Sequence, residues 1–191
     1  MRIVAGSVRG RTLQGPRRAD VIRPTADRVR ESIFNVLGQT CEGLAVLDLF
    51  AGTGALAFEA LSRGATRAVL VDSGREAQQL CLQNAQGLGF TSVVELLSMS
   101  AERAIARLAA RKEGFELIFA DPPYAQAAVD NVLGWLSAHH LLAQTGRLVL
   151  EHSKHESSPE HSGAFTRIDQ RTFGETVVSI FALTPHPSGH S

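Results

Sequence analysis

The chain has 191 residues, 44% of them hydrophobic, which is one domain's worth and enough for a core of its own. No apolar run approaches the roughly eighteen residues of a membrane span, and the N-terminus has no apolar h-region, so neither a spanning helix nor a secretory signal is expected and the protein is expected to be cytoplasmic. The net charge of zero hides a polarity: residues 1–30 hold eight arginines against Asp20 and Asp27, so this segment carries +6 and the remainder −6.

In chain order, Arg9, Arg11, Arg17 and Arg18 are interleaved with glycines and a proline in a hairpin-like segment. Arginine forks match phosphate oxygens and also stack on bases, so this segment reads as an RNA surface, the alternative being a solvated N-terminus. Arg28 and Arg30 lie on a predicted helix whose Val29, Ile33, Phe34, Val36 and Leu37 face a core, and pairing with Glu31 or Asp27 competes with RNA contact. Leu44 to Leu49 is a short apolar strand, followed by a glycine turn and a helix from Ala55 to Arg63. Val69 to Val71 forms the core of a second strand. Arg75 to Leu88 reads as a helix, Ser92 to Leu97 as a third strand, and Ala101 to Arg111 as a helix with Ile105 and Leu108 inward. Phe115 to Ala120 is a fourth strand, Ala127 to Ser137 a helix, and Arg147 to Glu151 a fifth strand. His152 to Ser162 is a polar loop, and Phe165 to Phe173 and Thr176 to Leu183 are two strands joined at Gly174-Glu175. Strict alternation of strand and helix calls for an α/β fold, a mostly parallel sheet covered on both faces and closed by an antiparallel hairpin.

Two motifs carry chemistry. Asp48-Leu-Phe50-Ala51-Gly52-Thr-Gly54 joins the first strand to its helix, and Gly52 and Gly54 permit close backbone approach at a helix N-terminus. Asp72 closes the second strand, where a carboxylate can accept from both hydroxyls of a ribose. Gly52 to Ala57 formally fits the dinucleotide pattern G-x-G-x-x-A, but Asp48 would repel a pyrophosphate and instead suits the ammonium of a methionine-like group. The second motif is Asp121-Pro122-Pro123-Tyr124, at the carboxyl end of the fourth strand, where open α/β sheets place their ligands. Two prolines remove two donors and hold the adjacent carbonyls as acceptors, which suits an NH2 group, and Tyr124 supplies a flat face for a planar ring. A strand-terminating loop with Tyr124 as a packing residue is the plain alternative. Cys41 and Cys81 lack CxxC spacing and read as reduced packing thiols; His152, His155 and His161 read as solvated loop residues rather than metal ligands.

Asp48 to Gly54, Asp72 and Asp121 to Tyr124, in that order and at those intervals, resemble class I S-adenosylmethionine-dependent methyltransferases of exocyclic base amines. Met1-Arg-Ile-Val-Ala-Gly6, Arg9-Gly10-Arg11 and Arg23-Pro-Thr25-Ala-Asp-Arg28-Val-Arg-Glu31-Ser-Ile-Phe34-Asn-Val-Leu37 narrow the likeness, and resemble the RsmD family of bacterial small-subunit ribosomal RNA guanine-N2 methyltransferases. The likeness runs from Met1 to about Leu183. It implies a Rossmann-like class I methyltransferase fold with a seven-stranded sheet and a C-terminal hairpin, preceded by a small basic N-terminal extension. The division expected is residues 1–26 for that extension, 27–184 for the methyltransferase domain and 185–191 for a tail.

The resemblance further implies S-adenosylmethionine as cofactor, no metal, and as substrate one guanosine of 16S ribosomal RNA in an assembling or assembled small subunit, with the enzyme a monomer. Asp121 and the Pro122 carbonyl would accept the amine N–H groups, with Pro123 beside the base and Tyr124 stacking on it. Asp48, Phe50, Ala51, Gly52 and Gly54 would hold the methionine end and Asp72 the ribose. The family pattern has an acidic or polar residue after the third strand, where this chain has Met99-Ser100-Ala101, leaving Ser100 and the Ala101 amide for the adenine. Arg23 and Thr25 match the N-terminal motif beside the donor site, in a donor or an RNA role. Asp-Pro-Pro-Tyr is shared by adenine-N6 enzymes, so base identity rests on the N-terminal block. An adenine-N6 methyltransferase and a non-catalytic RNA-binding assembly factor are the alternatives.

Overall fold

In the computed structural model, which describes residues 1–16, 24–123 and 127–184, with the side chains of 24–26 excepted, a single mixed sheet runs through the molecule. After an N-terminal hairpin come α1 (Pro24–Leu37), β1 (Ala45–Leu49), α2 (Ala55–Ser62), β2 (Arg67–Val71) and α3 (Arg75–Leu88). They are followed by β3 (Val94–Leu97), α4 (Ala101–Ala110), β4 (Phe115–Ala120), α5 (Ala128–His139), β5 (Leu142–Ser153), β6 (His161–Ser162), β7 (Phe165–Phe173) and β8 (Thr176–Leu183). The sheet order is β3-β2-β1-β4-β5-β8-β7-β6, with β3 to β5 parallel and β8, β7 and β6 antiparallel. The sheet has eight strands rather than the expected seven because two residues, His161 and Ser162, add an edge ladder to β7; so short a strand leaves no pattern in the sequence.

Side-chain alternation divides the core between the two faces. Val46, Leu70, Leu117, Phe119, Val149 and Ile180 pack with Ile33 and Phe34 of α1, Phe58 of α2 and Cys81 of α3, while Leu47, Leu49, Val71, Ile118, Leu148 and Leu150 pack with α4 and α5. Burial on both faces is why these strands read as continuous apolar runs. The N-terminal segment joins the first face. Ile3 and Leu13 are 1% and 3% exposed, and a hairpin closed by the Arg2–Thr12 bridge and by Ile3 N–H to Arg11 O at 3.0 Å presents them to the core.

Several boundaries shift by one or two residues from expectation, and three differences have local reasons. β3 starts at Val94 because Thr91–Val93 form a 3-10 turn. α5 starts at Ala128 because Ala127 adopts φ +62°, outside the helical region. β5 begins at Leu142 and runs to Ser153, with a shift of register against β4 that the polar stretch Gln144-Thr145 concealed. The same extension corrects the placing of His152 in a solvated loop: it is 2% exposed in the strand, its Nε2 2.9 Å from Ser179 Oγ. His155 and His161 are exposed, as expected, although His161 stands in the edge strand β6 and not in a loop. Among the described residues, no helix is long and apolar enough to cross a membrane.

Candidate active site

The carboxyl ends of β1, β2, β4 and β5 converge where the strand order turns from β1 to β4, the position at which open α/β sheets bind ligands. At β1 the chain leaves the strand through Phe50, whose φ of +62° is rare for a residue with a Cβ, and enters α2 through Gly52 and Gly54, at φ +56° and +75°. A Cβ on Gly54 would lie 2.4 Å from the Phe58 ring, so only glycine lets the turn pack down on α2. At Gly52 a Cβ would meet nothing nearer than Phe50 O at 4.0 Å; the backbone there faces open space.

Asp48 is 3% exposed, and its Oδ2 accepts the Ala57 N–H at 3.2 Å, meeting one of the orphan donors of the α2 N-terminus. Asp72 is half-buried and organises the turn: Oδ2 accepts Gly52 N–H at 2.9 Å and Oδ1 accepts Gly74 N–H at 2.8 Å. Each oxygen keeps a second lone pair. Ala51 N–H donates to Val71 O at 2.9 Å, tying the two strand ends together. Across the mouth, Asp121 is exposed and Pro122 buried, with Pro123 exposed again. Ser100 is exposed at the N-cap of α4 with no side-chain cap, and Ala101 begins that helix.

A fourth carboxylate stands with these, Glu151 of β5, to which the sequence reading assigned no role. The signal was present, since an acid closing an apolar run at the carboxyl end of a parallel strand is also the pattern of Asp48, Asp72 and Asp121. The electrostatics of the group are cooperative. Burial pushes the Asp48 carboxyl well above the usual range, reinforced by the charges of Asp121, Glu151 and Asp72. Desolvation between the strand ends raises Asp121 to about 6 although part of its side chain meets solvent. Burial, with the Asp121 charge, raises Glu151 to about 8 against the opposing pull of Arg30. Mutually repelling carboxylates at one mouth favour a cationic guest, and among the described residues no three His, Cys, Asp or Glu side chains converge as a metal site.

The arginines divide. Arg9 and Arg28 are exposed, whereas the Arg11 guanidinium donates to Gly87 O at the end of α3. Arg30 is 3% exposed, paired with Asp27 at 2.9 Å, as one of the two expected readings had it. Arg17, Arg18, Arg23 and Tyr124 lie outside the described residues, as does the side chain of Thr25. The hairpin reaches the glycine turn through Asn84, another residue the sequence reading passed over: its Nδ2 donates to Gln14 O at 3.1 Å and Thr53 O at 3.0 Å, and its Oδ1 accepts Gln14 N–H at 2.7 Å.

Residues 1–182 match a family model described as "Conserved hypothetical protein 95". The chain is 38% identical over 181 residues to "Putative rRNA methyltransferase YlbH" of Bacillus subtilis (strain 168), covering 95% of this chain and 98% of that one. It is 31% identical over 183 residues to "Ribosomal RNA small subunit methyltransferase D" of Escherichia coli (strain K12), covering 95% and 89%. Among solved structures, "Putative methyltransferase yhhF from Escherichia coli" superposes with a TM-score of 0.82 at 28% identity, covering 96% of this chain and 97% of that one. The matched span takes in the arginine-rich N-terminal block together with the glycine turn and Asp-Pro-Pro, and with that whole set in place the chain belongs to the RsmD family.

Proposed function

We propose that the protein transfers a methyl group from S-adenosylmethionine to the exocyclic N2 amine of a guanosine in 16S ribosomal RNA, acting as a monomer on an assembling or assembled small subunit. The observation that carries this reading is the convergence of Asp48, Asp72, Asp121 and Glu151 around a glycine turn, with Asp121-Pro122-Pro123 at the open mouth. The relatives' names supply the ribosomal RNA. The site fits the donor: open space before Gly52 admits a ligand against the backbone, and the carboxylates suit its ammonium and sulfonium. Asp48 and the Gly52–Gly54 turn hold the methionine end, Phe50 and Ala51 line it, Asp72 meets the ribose, and Ser100 and Ala101 lie toward the adenine.

S-adenosylmethionine supplies a methyl group already activated on sulfur, so the chain's task is alignment, worth several kcal/mol when reactants are held in near-attack geometry. The guanine amine is a poor nucleophile because its lone pair is delocalised into the ring. Asp121 and the Pro122 carbonyl accept its N–H groups and offset the positive charge that grows on nitrogen as the C–N bond forms and the S–C bond breaks. The proton then leaves nitrogen for Asp121 or water. The target base must be unstacked to reach this mouth, and Tyr124 stacks on it with Pro123 alongside. Arg9, Arg17, Arg18, Arg23, Thr25 and Arg28 provide the RNA-facing surface. Arg11 contributes less, its guanidinium being engaged at Gly87.

The test is transfer of labelled methyl from S-adenosylmethionine to unmethylated small subunits, naked ribosomal RNA and duplex DNA, followed by nucleoside identification. N2-methylguanosine from the ribosomal samples supports the reading; N6-methyladenosine replaces it with the adenine-N6 alternative, and donor binding without transfer to any of the three favours an assembly factor. A second measurement addresses the donor half. Asp72→Ala removes the ribose acceptor and also the anchor of Gly52 and Gly74, so the apparent KM for S-adenosylmethionine rises at least tenfold while kcat falls less. Unchanged donor affinity would refute the assignment.

A further inference from the structure

We propose that Glu151 is the guanine-reading residue of this site, its carboxyl meeting the N1–H and O6 of the target base while Asp121 meets the neighbouring 2-amino group. This rests on the guanine reading above and deepens it.

The placement follows from sheet register. Leu117 and Phe119 of β4 and Val149 of β5 face the α1 to α3 side, while Ile118, Ala120, Leu148 and Leu150 face the other. Alternation therefore returns Asp121 and Glu151 to the α1 side. Ala120 pairs with Leu150 as the last residue couple of the two parallel strands, so Asp121 and Glu151 follow as neighbours, about 4.8 Å apart at the backbone, and the Asp121 charge acts on Glu151. Guanine presents O6, N1–H and the 2-amino group in a row along one edge, over a comparable span. A carboxyl group that keeps its proton offers one acceptor and one donor. It can accept N1–H and donate to O6 together. Adenine with its amine at Asp121 presents a bare N1 and no neighbouring oxygen, and leaves one of those two bonds unmade.

Glu151 is suited to this because its environment holds the proton on. Burial and the Asp121 charge raise it to about 8, while Arg30 of α1 opposes both; the Asp48 carboxyl of β1 belongs to the same group, and the antiparallel partner of Glu151 on β8 is the apolar Val178. Asp121 at about 6 has lost its proton where Glu151 has kept its own. Activity therefore needs Asp121 ionised and Glu151 protonated. It falls below pH about 6 as Asp121 gains a proton and above pH about 8 as Glu151 loses one.

The experiment compares the full-length wild type, Glu151→Gln and Glu151→Ala on unmethylated small subunits from pH 5.5 to 9, quantifying N2-methylguanosine, with calorimetric binding of S-adenosylmethionine as the check on folding. Glu151→Ala loses about a hundredfold in kcat/KM for the RNA, the scale of one good bidentate base contact. Glutamine, with an amide acceptor and donor and no proton to lose, restores at least a tenth of the wild-type rate and abolishes the alkaline limb. Glu151→Ala within about threefold of wild type overturns the proposal, and so does an alkaline limb retained in Glu151→Gln. If the alanine variant fails to bind donor, the glutamine pH profile decides alone. N2-methylguanosine from the wild type together with an indifferent Glu151 sinks this proposal only; N6-methyladenosine sinks the guanine reading as well.

Discussion

Asp121→Ala lowers methyl transfer by about 10²–10³-fold, the cost of removing one preorganised electrostatic partner of a transition state, and leaves S-adenosylmethionine binding within about threefold. The asymmetry comes from position. Asp48, near the end of β1, bonds to the first turn of α2 and Asp72, just after β2, to the glycine turn, whereas Asp121 stands across the mouth directly after β4, joined to β1 by its own N–H to Leu49 O at 3.4 Å. Losing its side chain removes the proposed acceptor for the reacting amine and leaves the turn intact. Asp121→Asn falls between, since the amide oxygen still accepts one N–H but brings no charge and adds donors. Single-turnover transfer with saturating donor, alongside calorimetric donor affinity, checks both halves. Wild-type turnover by Asp121→Ala would remove Asp121 from the chemistry, and a parallel collapse of donor affinity would move it to the donor pocket.

The sheet was legible because strands buried on both faces leave apolar runs: Leu49, before the glycine turn, and Val71 and Ala120, each before an acid, mark the expected and the observed ends of β1, β2 and β4. The residues of the proposed donor half were legible for the same reason, since Asp48, the glycines and Asp72 lie in or directly after such runs. Glu151 is less legible because β5 carries no named motif, only an acid at the end of an apolar run. Asn84 was legible only in part. Its spacing from Leu80, Cys81, Ala85 and Leu88 puts an amide on the buried face of α3, but its bonds to Gln14 and Thr53 span 70 and 31 positions, which no local pattern marks. The N-terminus shows the opposite limit. Its arginines drew attention by charge, while the two residues that fix the hairpin to the core, Ile3 and Leu13, are isolated apolar positions without periodicity.

That attachment depends on one buried carboxylate, and Glu59→Ala destabilises the fold by about 3–5 kcal/mol, the range for leaving buried charges without their partner. Glu59 of α2 is fully buried. It accepts Val4 N–H at 2.8 Å and Ala5 N–H at 3.0 Å, pairs with Arg63 at 2.9 Å, and lies 3.5 Å from Arg30 Nε. Removing it strands two guanidinium groups and two backbone donors in a protein interior. Arg63 retains the Phe34 ring at 4.5 Å and Gln39 O at 3.0 Å, and Arg30 retains Arg2 O and Asp27, so the loss stops short of a fully orphaned pair. For a domain of this size the loss lowers Tm by roughly 10 °C. An exposed pair of equally short distance, Arg111 with Glu95 at 2.8 Å, gives the contrast: Glu95→Ala leaves the melting curve where it is, because solvent screens that pair in both states. The damage from Glu59→Ala also spreads to the site. The hairpin carries Gln14, Gln14 is clamped by Asn84, and Asn84 holds Thr53 of the glycine turn; freeing residues 3–5 from α2 loosens the donor turn. Denaturant unfolding, limited proteolysis after the N-terminal arginines and donor affinity should therefore shift together. A variant that melts like wild type, or one that loses stability while the hairpin stays protected from protease, would show that Glu59 is not what couples the basic N-terminus to the methyl-donor site.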